Sequence, residues 1–219
     1  IMDQINLLLG GPTKNLPPLD AVVGPWIGVD HGNITLLQQH ITPMISVGDF
    51  DSLTTVERAM MEAQVADIRY ANPIKDWTDS QLALQVALDD CQAQHLTLYG
   101  ATGARLDHEL VNLFLPLDLH NPADMAKLQL VDRQNVIDFY PPGHYQIKRL
   151  PQMKYLAFFN LTPVQQLTIQ KAKYQLAATD FTRPTSLASN EFVGPTVNFS
   201  FTQGVVAVIQ SKRGSLTDL

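Results

Sequence analysis

The sequence predicts an α/β fold in two parts: an N-terminal parallel-sheet α/β domain over residues 1–130 and a C-terminal antiparallel β-sandwich domain over residues 131–219. Three observations carry this. Before residue 130, short apolar runs alternate with helical patterns, the βαβ signature of a parallel sheet. Beyond it, short alternating runs are separated by turn signals, with hardly any helical period, which indicates a sandwich or barrel. Acidic and glycine residues also gather where the strands of the first half end, and open α/β sheets place their ligands at that edge.

The first strand, Ile5 to Leu9, is apolar and ends on Gly10-Gly11-Pro12, where a glycine turn lets backbone approach a ligand. Ala21 to Val29, interrupted by Gly24-Pro25, supplies a second strand that ends on Asp30-His31-Gly32. Ile34 to His40 reads as a short helix leading into a third strand, Ile41 to Val47. That strand enters Gly48-Asp49-Phe50-Asp51-Ser52. If the chain stays extended there, residues two apart share a face and both carboxylates point into one space. Two such charges about 4 Å apart repel by roughly 4 kcal/mol at an effective dielectric near 20. A divalent cation removes that repulsion, and hard oxygen ligands suit Mg²⁺. A plain Asx turn reads the same residues equally well.

Leu53 to Gln64 reads as a helix capped by Ser52 or Thr54, and Ala66 to Tyr70 as a strand. After Asn72-Pro-Ile-Lys75-Asp76-Trp77 comes a helix whose N-cap is Thr78 or Asp79, with Asp89-Asp90 near its far end. Leu96 to Tyr99 is a further strand, and it runs into Gly100-Ala-Thr-Gly103-Ala104-Arg105-Leu-Asp107-His108 ahead of a helix over Glu109 to Leu117. A glycine turn between strand and helix offers backbone N–H groups to an anion, and Arg105 can grip phosphate bidentately. In the second half, Gln129 to Tyr140, Tyr155 to Asn160, Leu167 to Gln170, Thr196 to Phe201 and Val205 to Gln210 read as strands.

Composition narrows the function classes. Hydrophobic residues make up 45% and charged residues 16% of 219 positions, an ordinary globular balance. A formal charge of −6 without clustered Lys or Arg argues against nucleic acid or an anionic membrane as partner. The single cysteine, Cys91, permits no intrachain disulfide and reads as a small buried hydrophobe. Neither a basic leader-like start nor a membrane-length apolar run is visible, so cytoplasmic residence is the expectation. Four strand-end clusters, Asp30, Asp49 with Asp51, Asp79, and Arg105 with Asp107 and His108, converge on one edge and together suggest a Mg²⁺-nucleotide site.

These motifs resemble the thiamine pyrophosphokinase family. Its Gly-Asp-x-Asp-Ser is similar to Gly48 to Ser52, its Lys-Asp-x-Thr-Asp to Lys75 to Asp79, and its Gly-x-x-Gly-Gly-Arg-x-Asp-His to Gly100 to His108. Asp30-His31-Gly32 resembles an Asp-Gly-Gly element, Lys173-Tyr174-Gln175-Leu176 a Lys-Tyr-Pro-Leu element, and Ser189-Asn190-Glu191 a Ser-Asn-Glu element. His31 and Ala104 each replace a family glycine, and Val205 and Val206 lie where animal members carry a Trp.

The resemblance implies transfer of a pyrophosphoryl group from ATP to the hydroxyl of thiamine, giving AMP and thiamine diphosphate. It further implies a homodimer with thiamine near the interface. On this reading Asp30, Asp49, Asp51 and Asp79 hold Mg²⁺, and Asp49, Asp51, Asp79 and Arg105 are catalytic. Gly11, Asp30, Lys75, Thr78, Gly100, Gly103, Arg105, Asp107 and His108 bind ATP, while Asp79, Ser189 and Asn190 bind thiamine. Two other readings fit the Asp-x-Asp. One is a haloacid dehalogenase-type phosphatase, with Asp49 as nucleophile. The other is a thiamine- or metal-binding module without catalysis.

Overall fold

The computed structural model describes residues 1–71 and 77–214. Its contacts divide them into two units: residues 1–115 with 130–133, and residues 116–129 with those from 134 onward. Residues 130–133 join the first unit through hydrogen bonds. Arg133 N–H donates to the Asn15 carbonyl at 2.7 Å, and Thr102 Oγ1 to Asp132 Oδ2 at 2.7 Å.

In the first unit, β1 (Met2–Leu8), β2 (Trp26–Val29), β3 (Ile45–Gly48), β4 (Ile68–Tyr70) and β5 (Ala93–Tyr99) are ordered β5-β1-β2-β3-β4. Every adjacent pair is parallel, as the strand-helix alternation predicts. β2 and β3 are buried throughout, which is why they read as continuous apolar runs rather than alternating ones. The helices are α1 (Gly32–Gln38), α2 (Thr55–Gln64), α3 (Asp79–Gln85) and α4 (Leu106–Phe114).

Thr54, not Ser52, caps α2 through a reciprocal box with Glu57, and Thr78, not Asp79, caps α3 through one with Gln81. α3 continues into a π-helical turn, Val86–Asp90, so Asp89 and Asp90 do not follow a strand. Several expected bounds shift. The Ala21 to Val29 signal yields only β2, because Leu19–Ala21 turns as a 3₁₀ helix ahead of Gly24. The last helix starts at Leu106 rather than Glu109 and passes into a 3₁₀ turn at Leu115–Asp118. Cys91 ends the π-helical turn half-buried. Core packing comes from Leu8, Leu19, Trp26, Leu36 and Tyr99 in one cluster and Ile34, Leu37, Phe50, Met61 and Val65 in another.

The second unit is the expected sandwich. Its strands are β7 (Asn135–Tyr140), β8 (Gly143–Lys148), β9 (Met153–Asn160), β10 (Val164–Gln170), β11 (Leu176–Phe181), β12 (Thr185–Glu191), β13 (Thr196–Phe201) and β14 (Val206–Lys212); β6 (Leu128–Val131) straddles the division between the units. The expected run from Gln129 to Tyr140 is therefore two strands, β6 and β7. One sheet orders β12-β9-β14-β7 and the other β11-β10-β13-β8, all antiparallel. Inward residues of both meet in a core that includes Leu156, Phe158, Ile169, Val197, Phe199 and Val208. Among the described residues, no helix is long and apolar enough to cross a membrane.

Candidate functional site

The carboxyl ends of β5, β1, β2 and β3 lie side by side because the strands are parallel and in register, and the expected residues collect there. Asp30 follows β2, Asp49 follows β3, and Asp79 opens α3, which packs against both strands. One oxygen from each of Asp30, Asp49 and Asp79 lies within 4.8 Å of the others. Thr78 does the capping of α3, so the Asp79 carboxylate is released from that duty and joins the cluster.

The turn after β3 is built differently from the extended segment the spacing suggested. Phe50 sits at φ 57, so Asp49 and Asp51 are not two residues apart on one extended face. Asp51 N–H instead donates to Asp49 Oδ1 at 3.0 Å, an Asx turn, and the Asp51 side chain is exposed outside the trio. The Asx turn and the acidic cluster thus coexist. Phe50 fixes the turn: it is 1% exposed, packs with Ile34, Leu37, Met61 and Val65, and meets Tyr70 edge-on at 5.5 Å. Gly48, at φ 149, lets Asp30 approach, since a Cβ there would collide with Asp30 Oδ1.

Electrostatics mark Asp30 as the centre of strain. Burial, then Asp79 and Asp49, push its carboxyl up to about 8, against an opposing backbone N–H from Phe50. Asp79 is raised as well, by burial and by the charges of Asp49 and Asp51, while its hydrogen bond with Asp30 opposes this. Asp30 Oδ1 is buried without a hydrogen-bond partner. A buried carboxylate oxygen with no donor among like charges is costly, and a cation is the remedy. Adjacent ligands of an Mg²⁺ octahedron are about 3 Å apart and opposite ones about 4 Å, so three oxygens within 4.8 Å of one another reach a common ion by drawing inward.

The loop after β5 is the second part. Gly11 and Gly100 bring the ends of β1 and β5 backbone to backbone, since a Cβ on Gly11 would collide with Gly100, itself at φ 69. Gly103, at φ 82, lies against Asn15, and its N–H donates to Glu109 Oε2 at 3.0 Å. Arg105 precedes α4 and forks onto Asp107, Nε to Oδ1 at 3.2 Å and NH2 to Oδ2 at 2.6 Å. That pairing raises Arg105 and lowers Asp107, both exposed. His108 follows in the first turn of α4, its N–H given to Asp107 Oδ1 at 3.1 Å. Lys75 lies outside the described residues.

In the second unit, Ser189 and Asn190 lie on β12 at an irregularity in its pairing with β9. Ser189 is exposed at φ 61. Asn190 is buried, and its amide is committed to backbone: Oδ1 accepts from Tyr174 N and Glu191 N, and Nδ2 donates to Tyr174 O at 2.8 Å. Asn190 therefore secures the turn that carries Tyr174.

Reading by motif overlooked the supports beneath the acids. Gly48 and Phe50 shape the Asp49 turn from within the Gly48 to Ser52 motif, which gave them no role of their own, and Asn33 and Ser46, which no motif singled out, bond beside Asp30.

Comparison with known proteins gives two family matches: the thiamin pyrophosphokinase catalytic domain over residues 23–128 and the thiamin pyrophosphokinase vitamin B1 binding domain over residues 144–206. The chain is 35% identical over 215 residues to the thiamine pyrophosphokinase of Bacillus subtilis (strain 168), covering 96% of this chain and 99% of that one. A thiamin pyrophosphokinase family protein of Enterococcus faecalis, of known crystal structure, is 41% identical, with a TM-score of 0.91 over 97% of this chain and all of that one. A Lactobacillus plantarum protein of known structure is 43% identical, with a TM-score of 0.90 over 97% of this chain and all of that one.

Proposed function

This chain belongs to the thiamin pyrophosphokinase family, and from that premise we propose that its acidic trio holds Mg²⁺ against the phosphates of ATP. The chain is an enzyme that transfers the pyrophosphoryl group of ATP to the hydroxyl of thiamine. Transfer of this kind depends on positioning and on neutralised phosphate oxygens more than on covalent help. Asp30, Asp49 and Asp79 would hold the ion, with the exposed Asp51 completing the acidic rim. A divalent cation bound there supplies charge neutralisation where negative charge develops on the phosphates.

The single observation that carries this reading is the buried, partnerless Oδ1 of Asp30 on a carboxylate that clusters with those of Asp49 and Asp79. Around it, Gly11, Gly100 and Gly103 let the phosphate chain lie close to backbone, and Arg105 would exchange its fork on Asp107 for one on phosphate. Thr78, Asp107 and His108 shape the same rim, and Lys75 is assigned to ATP by its motif. Asp79 would also orient the thiamine hydroxyl. The cationic thiazolium suits an acidic cleft.

We assign ATP and the metal to residues 1–130 and thiamine to residues 131–219, with exposed Ser189 as the direct contact and Asn190 shaping its surroundings. A homodimer with thiamine near its interface, and cytoplasmic residence, complete the proposal. Neither a nucleic acid nor a membrane is invoked, in keeping with the net charge of −6. The phosphatase reading, which needs its Asp-x-Asp on the first strand and an acidic pair after a later strand, has lost its footing: Asp49 follows the third strand, and Asp89-Asp90 lies on a π-helical turn.

Direct Mn²⁺ binding, followed by electron paramagnetic resonance, tests the metal assignment. Asp49→Asn should lose one bound ion and nearly all turnover while keeping its circular dichroism. Undiminished binding would remove the trio from the mechanism.

A further inference from the structure

Beneath the trio lies a buried polar pair that the reaction does not use: Asn33 in the first turn of α1 and Ser46 on β3, each 0% exposed. Asn33 Nδ2 donates to the Asp30 carbonyl at 3.0 Å, and Asn33 backbone N–H donates to the same oxygen at 3.1 Å. Ser46 Oγ in turn donates to Asn33 Oδ1 at 2.5 Å. Gly28 on β2 makes the room, because a Cβ there would collide with the Asn33 amide. Stability alone does not call for such a pair. Two buried partners replaced together by apolar groups of similar shape can be nearly neutral.

What the pair does is hold Asp30. That residue sits at φ 46, a conformation that non-glycine residues seldom adopt and that persists only when its surroundings enforce it. Its N–H is tied to Val47 O at 3.0 Å and its carbonyl is drawn into α1 by Asn33, so the peptide is fixed on both sides. Relaxing it would swing the carboxylate away from Asp49 and Asp79.

We propose that Asn33 and Ser46 are positioning residues that lock the left-handed Asp30 peptide and thereby preset the Asp30 carboxylate as a metal ligand. This rests on the assignment of the trio to a divalent cation. Outer partners of metal ligands typically govern affinity by 10- to 100-fold.

The test uses the full chain with Mn²⁺ alone, measured by electron paramagnetic resonance, together with Tm in EDTA and kcat and KM for ATP and thiamine. Asn33→Ala should weaken Mn²⁺ binding about tenfold, and Ser46→Ala about threefold. The double variant Asn33→Leu with Ser46→Ala, apolar throughout, should recover most of any lost Tm without recovering Mn²⁺ affinity. Its kcat should fall further than its KM for thiamine rises. Wild-type Mn²⁺ affinity in folded Ser46→Ala and in the double variant would overturn the proposal, as would an affinity that merely tracks Tm. Asp49→Asn is measured alongside. If it loses Mn²⁺ while the Asn33 and Ser46 variants keep it, the positioning role alone fails; if it too binds normally, the trio assignment fails and the proposal with it.

Discussion

Replacing Asp30 by Asn removes a buried ionisable carboxyl with almost no change of shape, and the two sides of that change separate cleanly with pH and metal. The folded carboxyl is pushed up to about 8, whereas an unfolded one titrates near 4. The folded protein therefore keeps a proton through a window where the unfolded chain has released it. Metal-free stability accordingly falls as pH rises through that window. Between pH 5 and pH 8 the three pH units correspond to roughly 4 kcal/mol, and solvent screening of a half-buried group reduces this to about 2 kcal/mol.

Asp30→Asn does not titrate. In EDTA its Tm should gain on wild type between pH 5 and pH 8 by about 4–8 °C, at 2–4 °C per kcal/mol for a chain of this size. Adding Mg²⁺ at pH 8 should raise Tm in wild type and leave the variant unmoved, while turnover in the variant collapses. A Tm difference that stays constant from pH 5 to pH 8 in EDTA would refute the burial argument. An equal Mg²⁺ response in both proteins would refute the metal argument.

Three further outcomes are expected. Phe50→Ala empties a fully buried position and should cost about 3–4 kcal/mol, read by chemical denaturation, with weaker Mn²⁺ binding because the Asp49 turn loses its anchor. Arg105→Lys keeps the charge and loses the planar fork, so KM for ATP should rise roughly tenfold while Tm, for so exposed a residue, stays put; unchanged kinetics would leave Arg105 with Asp107 alone. Asn190→Ala should destabilise the sandwich by about 2–3 kcal/mol through the unpaired Tyr174 backbone, whereas Ser189→Ala should raise KM for thiamine at constant Tm.

The parallel sheet was legible because its central strands β2 and β3 are buried on both faces and so print as apolar runs broken by glycine and acid. Polar strands are harder to read. β11 and β12 carry exposed or half-buried residues such as Thr179, Asp180, Ser186 and Ser189, and pairing rather than propensity makes them strands. β8 hides behind Pro141-Pro142, and its register with β13 defines it. At the site, residue identity was visible and geometry was not. The pattern Asp-x-Asp picks out Asp49, which joins the trio, yet the left-handed Phe50 sends Asp51 outward, and a core 11 to 16 residues away in sequence imposes that turn. Asp30 gave no hint of its unusual backbone. Its cause lies in Asn33 and Ser46, whose meeting depends on the packing of α1 against the sheet.

The measurement that bears most directly on the central claim is ³¹P NMR of the purified protein with ATP, Mg²⁺ and thiamine, run beside the same mixture without thiamine and with Asp49→Asn in place of wild type. The account predicts AMP and thiamine diphosphate in equal amounts, formed only with thiamine and Mg²⁺ and lost in the variant. Release of ADP or free phosphate instead, or product from Asp49→Asn at the wild-type rate, would contradict it.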